Sequence, residues 1–194
     1  MLLTEKFRDT NIILASQSPR RKELLAGLGL SFSTISLDID ETFDRDIYKA
    51  EKITELLSAK KAQAYTAIQP NDLIITSDTT VWVDGESLEK AENREEAYEM
   101  IKKLSGKTHS VYTSVTIRTI DKEKTFSDET LVTFSDLSDE EIYFYIDNYK
   151  PYDKAGAYGV QEWIGYIGVE NMNGSYFNVM GLPTHKLYQE LKNL

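Results

Sequence analysis

The chain has 194 residues, no cysteine, two histidines and a formal net charge of −10. A chain of that length is one domain, or one domain with two lobes around a cleft, and it can bury about 70% of its unfolded surface, enough to fold without a disulfide or a structural metal. The composition excludes thiol nucleophiles, disulfides and cysteine-built zinc sites and fits a reducing cytoplasm; its charge repels nucleic acid polymers and anionic membranes, so any phosphate chemistry needs a local basic pocket.

The opening "MLLTEKFRDT" has no long apolar run, which argues against a signal peptide, and no stretch of 18 apolar residues predicts a membrane span. Ile12–Ala15 reads as a short apolar strand. Residues 19–28 read as a helix with Ser18 as cap, Pro19 in the first position, Leu24, Leu25 and Leu28 on one face, and Gly29 as the stop. Phe32–Leu37 is a second strand, and "DIDET" opens a polar loop. Residues 48–68 are expected to form a longer helix with an apolar stripe of Ile53, Leu56, Leu57, Ala64 and Ile68.

"NDLIITSD" reads as a buried strand with a polar end, and "TTVWVDGESL" continues as a strand and a glycine turn. A helix over 93–104 follows. In "THSVYTSVTIR", His109, Val111, Thr113, Val115 and Ile117 share one strand face, and "DKEK" turns the chain towards the antiparallel partner "ETLVTFSDL". "SDEEIYFYIDNY" carries a capping box, Ser138 with Glu141, before the stripe Ile142, Tyr145, Ile146 and Tyr149. A last strand is expected at 163–169 and a last helix from Pro183. No repeat or linker interrupts the chain, so residues 1–194 read as a single domain, an α/β fold with a mixed, elongated sheet flanked by helices and two lobes around a central cleft.

Arg20 and Arg21 stand at a helix N-terminus, where the macrodipole disfavours cations. An anion there would meet two guanidinium groups, the dipole and free backbone N–H groups together; the pair alone also fits a solvated helix end. Lys61 lies on the stripe of helix 48–68, where a lysine either snorkels or meets an anion. Asp78 follows a buried run, as a base, a metal ligand or a turn residue. Glu41 sits in an acidic loop that is solvated by default. His109 fits a packed strand residue better than a catalyst. Lys154 and Gln161 flank "AGAYG", a turn at which backbone can approach a ligand. The cations Arg20, Arg21, Lys61, Lys90 and Lys154, with Glu41 and Asp78 as oxygen ligands for a hard divalent ion, are a combination suited to phosphate anhydride chemistry.

The blocks "LASQSPRRKELLAGLG", "DET", "LSAKKA", "DTTV", "LSGKTHSVYT", "ETLVTFSDLSDEEIYFYI", "DKAGAYGVQ" and "NVMGLP" occur in that order. Taken together they resemble the Maf family, nucleotide pyrophosphatases also called septum formation proteins, nearly from end to end. The family's "DTVV" is here "DTTV"; Ser77 stands where Ala or Gly is usual, Glu162 where Gly is common, and "LEKAEN" replaces the usual "GKP" around Lys90. The resemblance implies hydrolysis of a nucleoside triphosphate between its α and β phosphates, with Mg2+ or Mn2+, and "SDT" with "AYGVQ" is similar to the branch that takes dTTP and UTP. It implies Asp78 as proton acceptor, Arg20, Thr79 and Gln161 as base-selecting positions, and Ser16, Arg21, Glu41, Lys61 and Lys90 as the remaining site positions, with His109 and Lys154 also among the substrate-binding candidates. It also implies a homodimer. A second reading, drawn from the family name, is a nucleotide-binding regulator of cell division with little catalysis.

Overall fold

The computed structural model describes all 194 residues, in the order α1 (Leu3–Lys6), β1 (Asn11–Ala15), α2 (Pro19–Gly27), β2 (Ser33–Ile35), α3 (Glu51–Ala64), β3 (Asp72–Val83), β4 (Glu86–Leu88), α4 (Arg94–Leu104), β5 (Thr108–Arg118), β6 (Glu123–Phe134), α5 (Asp139–Tyr149), α6 (Trp163–Gly168), β7 (Val169–Asn173), α7 (Tyr176–Val179) and α8 (Thr184–Asn193). The strands form one mixed seven-stranded sheet in the order β2-β1-β3-β5-β6-β7, with β4 paired to the far end of β3. The β1–β2 and β1–β3 pairs are parallel, and the other pairs are antiparallel. No helix is long and apolar enough to cross a membrane.

Two separate cores flank this sheet. One gathers Leu14, Leu25, Leu73, Ile75, Val115, Ile117 and Leu187 around β1, α2 and α8. The other gathers Val81, Ile101, Leu104, Val111, Phe134, Tyr145 and Ile164 around α4, α5 and α6. Met180 packs against both. β3, β5 and β6 run unbroken through the two lobes, and between the lobes lies the expected cleft.

Local signals act as read at several points. Ser18 caps α2 and Asn93 caps α4, the Ser138–Glu141 capping box forms at α5, and the five same-face residues of β5 are all buried. Four readings are corrected. The stretch 163–169 is helical as far as Gly168, and the strand begins at Val169. Its branched and aromatic residues favour a strand, but Ile164 and Gly168 are buried in the core and Gly165 lets the turn close against Val160. The helix placed at 48–68 is confined to Glu51–Ala64. Ala50 enters it with φ of 50°, the Arg118 guanidinium ties off its last carbonyls at Ala62 (2.7 Å) and Tyr65 (3.1 Å), and Pro70 disfavours helix just beyond. Ile68 packs from a loop instead, beside Ile35 and Tyr65. β6 begins at Glu123, so the turn is Thr119–Lys122, closed by the Thr119 N–H on the Lys122 carbonyl at 2.8 Å. Asp78 does not end a strand: it lies in the middle of the twelve-residue β3.

The face of the sheet beneath α3 is polar. Thr76 donates to the Ser58 carbonyl (2.7 Å), Thr54 pairs with Ser114 (2.6 Å), and Thr116 donates to the Ser58 hydroxyl (3.1 Å). These bonds fix the register of α3 on β3, and with it the position of Lys61, one helical turn beyond Ser58.

Candidate active site

The cleft exists because β3 outruns its neighbour. β1 pairs with β3 only as far as Leu14 opposite Ile75, and β4 joins that same edge only at Val81. From Thr76 to Thr80 the edge of β3 is free of a neighbouring strand, and there a cavity of about 520 Å³ opens. The turn from β1 into α2, the loop around Glu41, α3, Lys90, the bend 153–161 and Met180–Gly181 form its remaining walls.

Ten of the eleven residues singled out from the sequence meet there: Ser16, Arg20, Arg21, Glu41, Lys61, Asp78, Thr79, Lys90, Lys154 and Gln161 all line the cavity. At its floor the Lys61 ammonium bonds Asp78 at 2.7 Å and Glu41 at 2.8 Å, so one cation joins two carboxylates. Burial is the largest influence on Asp78 and raises its pKa above the ordinary carboxylate value, against the pull of Lys61 and Arg21. Burial also works to raise Glu41, but Lys61, through its hydrogen bond and charge, and then Lys90 and Arg21 hold this more exposed carboxyl below its ordinary value.

Arg21 and Arg20 part company. The Arg21 backbone N–H bonds its cap Ser18, whose own N–H bonds the Ser16 hydroxyl at 3.2 Å. Its side chain turns inward, donating from Nε to the Gly181 carbonyl (2.9 Å) and from Nη2 to the Thr79 hydroxyl (3.0 Å). Burial lowers its pKa, with Asp78 opposing. Gly181 has φ of 107° and lies against both groups, a backbone state and a closeness that suit glycine. Arg20 instead crosses to the other rim and pairs with Asp153 at 2.8 Å. Asp153 also bonds Lys154 (2.8 Å), and Lys154 reaches Glu162 at 3.1 Å, while the Tyr145 hydroxyl donates to Glu162 from below. Lys154 is thus already neutralised on two sides. Lys90 is positioned by backbone: it bridges to Ala155, and the Gly156 N–H bonds the Glu89 carbonyl at 3.0 Å. This bridge depends on backbone pairing, so it forms despite the altered neighbours of Lys90.

His109 is the exception, and its reading as a substrate contact is corrected. It is 2% exposed, lies outside the cavity wall, and its Nε2 stands 2.8 Å from the Tyr158 hydroxyl. Its ring packs edge-on against Phe134 and Tyr158, so it supports Tyr158, which does line the cavity. Asp153, Tyr158 and Gly181 were not singled out as site residues. Asp153 adjoins Lys154 in "DKAGAYG", and Gly181 is the glycine of "NVMGLP"; each acquires its role only through contacts with α2, more than 100 residues away.

Burial also lowers the His109 pKa from 6.5 to about 4. The unfolded chain takes up this proton near 6.5 and the folded chain resists it, so stability is lost as pH falls from about 6.5 towards 4, by about 3 kcal/mol in all. Thermal melts between pH 7 and 4 are expected to show a smaller acid loss in His109→Gln than in the unaltered chain; parallel pH profiles would refute this account.

A family model described as Maf-like protein matches residues 11–194. The chain is 55% identical over 185 residues to a dTTP/UTP pyrophosphatase of Bacteroides thetaiotaomicron, covering 94% of this chain and 95% of the relative. It is 53% identical over 194 residues to a dTTP/UTP pyrophosphatase of Phocaeicola vulgatus, covering 99% and 100%, and 49% identical over 193 residues to one of Flavobacterium psychrophilum, covering 99% and 98%. With matches of this extent, the chain belongs to the Maf-like protein family.

Proposed function

We propose that this protein hydrolyses dTTP and UTP between the α and β phosphates, releasing a nucleoside monophosphate and pyrophosphate, with the whole chain acting as one catalytic domain. The observation that carries the reading is a half-buried carboxylate, Asp78, on the free stretch of β3, with Lys61 on one side and Arg21 within electrostatic reach. The similarity to relatives named for that activity supports the choice of substrate.

In this reading Asp78 accepts the proton of the attacking water. A carboxylate whose pKa is raised towards the working pH does so better than an ordinary one. The polyphosphate lies along Arg21, Lys61, Lys90 and the N-terminal amides of α2, where planar guanidinium, point charges and dipole act on the charge that grows on departing pyrophosphate. Ser16 stands at the same turn. Arg20, Thr79 and Gln161 face the nucleoside. The Gln161 amide makes no side-chain hydrogen bond within the protein and offers one donor and one acceptor to a pyrimidine edge.

No group of three or more His, Asp or Glu side chains is placed to hold a metal unaided. Glu41 and Asp78 do converge on one cation, the Lys61 ammonium. Two carboxylates completed by substrate phosphate oxygens and water are a donor set that fits Mg2+ or Mn2+. We place the divalent ion at Glu41 and Asp78, where it neutralises phosphate charge when bound.

Incubating the purified chain with dTTP or UTP and Mg2+ is expected to yield pyrophosphate and monophosphate in equal amounts. Orthophosphate as the first product, or nucleotide binding without turnover, overturns the reading.

A further inference from the structure

Gln161 is presented by a tight turn. The Glu162 N–H bonds the Gly159 carbonyl at 3.0 Å, which makes Val160 and Gln161 the two central residues of a four-residue turn. Val160 sinks into the core around α4, α5 and α6, and Gln161 lines the cavity. Both corners of this turn meet one atom. The hydroxyl of Tyr145, on α5, accepts the Gly159 N–H at 2.9 Å and donates to the Glu162 carboxylate. Tyr145 is fully buried and does not line the cavity. Burial, then Glu162, pushes its pKa upward, so the hydroxyl keeps its proton and both of its bonds. Phenylalanine would fill the same place in the core, so packing alone does not ask for the hydroxyl. The Gly159 bond is to backbone and does not depend on Glu162, which stands where glycine is common.

Resting on the proposed hydrolysis, in which Gln161 faces the nucleobase, we infer that Tyr145 is a positioning residue for base selection: its hydroxyl holds the turn that aims the Gln161 carboxamide. A binding group selects only when it is held within about 0.5 Å of its productive place, and that precision comes from the bonds behind it. The Gln161 side chain makes no hydrogen bond within the protein, so the backbone that carries it sets where it stands. Without the hydroxyl the Gly159 N–H loses this acceptor, and the turn is free to shift against α5 although the ring keeps its place in the core. UTP and CTP report on this directly. They differ only at the base edge, keto group and ring N–H in one, amino group and bare ring nitrogen in the other, and share ribose and phosphates.

The test is steady-state kinetics on UTP and CTP with pyrophosphate detection, alongside thermal melts, for the unaltered chain, Tyr145→Phe, Gln161→Ala and the double variant. Absence of turnover by the unaltered chain overturns the proposed function, and this inference with it; the other outcomes bear on Tyr145. In Tyr145→Phe, KM for UTP is expected to rise about fivefold with kcat within threefold, so that the preference for UTP over CTP falls about fivefold. Loss of folded protein alone would lower kcat for both nucleotides equally and leave KM and the preference unmoved. In the Gln161→Ala background, Tyr145→Phe is expected to change the preference by less than twofold, because the group it aims is gone. The inference is overturned if Tyr145→Phe keeps the preference within twofold of the unaltered chain, if it lowers kcat for both nucleotides alike with KM unchanged, or if its effect is undiminished in the Gln161→Ala background. Should Tyr145→Phe not fold, Glu162→Ala, which frees one corner of the turn, is expected to lower the preference about threefold, and an unchanged preference overturns the inference.

Discussion

Asp78→Asn is expected to lower kcat for dTTP by about 10³-fold, since positioned proton transfer contributes about 10²–10⁴. The substitution keeps the shape and the Lys61 contact as a neutral hydrogen bond, and Lys61 retains Glu41 at 2.8 Å. The environment of Asp78 on balance raises its pKa, so the ionised form costs the fold stability and the melting temperature is expected to hold or rise. The base works only unprotonated, so kcat is expected to climb with pH as Asp78 loses its proton and then level off, and a divalent ion bound beside Asp78 is expected to move that limb to lower pH as its concentration is raised. That limb is expected to vanish in the residual activity of Asp78→Asn. Residual kcat within tenfold of the unaltered chain would remove Asp78 from the mechanism.

Gly165→Ala is expected to cost about 3 kcal/mol or more of stability. A Cβ built there stands 1.8 Å from the Val160 carbonyl oxygen and 2.6 Å from its carbon, and neither is the movable end of a side chain. Overpacking against backbone has to shift the chain itself. For a domain of this size that is about 6–12 °C of melting temperature. The displaced segment runs directly into Gln161, so the protein that remains folded is expected to lose discrimination between dTTP and other triphosphates as well. A melting temperature within 2 °C of the unaltered chain would show that α6 moves aside without cost.

These two residues also mark what a reader of the sequence can and cannot see. Signals that act within one turn are legible: the Ser18 cap with Pro19, the Asn93 cap, the Ser138–Glu141 box, and the buried face of β5 from His109 to Ile117, although Ser114 and Thr116 on its other face are buried too. Gly165 is not, because its demand is set by the Val160 carbonyl folding back upon it, and the apolar run around it has the composition of a strand. Asp78 is legible as a residue of interest from its block of sequence, but its setting is not. That setting arises because two other strands, β1 and β4, stop short of it from either side. The pairing of Arg20 with Asp153 spans 133 residues and the bond of Arg21 to Gly181 spans 160. Adjacent in the chain and alike in chemistry, the two arginines are separated in role by partners that no local pattern announces. His109 misled for a related reason: a histidine within a block of sequence shared by a family reads the same whether it touches substrate or holds the tyrosine that does.

The continuity of β3, β5 and β6 through both lobes has a kinetic consequence. Hinged closure needs a few residues that absorb a large backbone rotation. Three paired strands crossing the boundary offer none without breaking ladder bonds. The strand frame therefore offers no hinge between the lobes, and whatever adjustment a nucleotide demands falls to the loop around Glu41 and the bend 153–161 that complete the cleft wall.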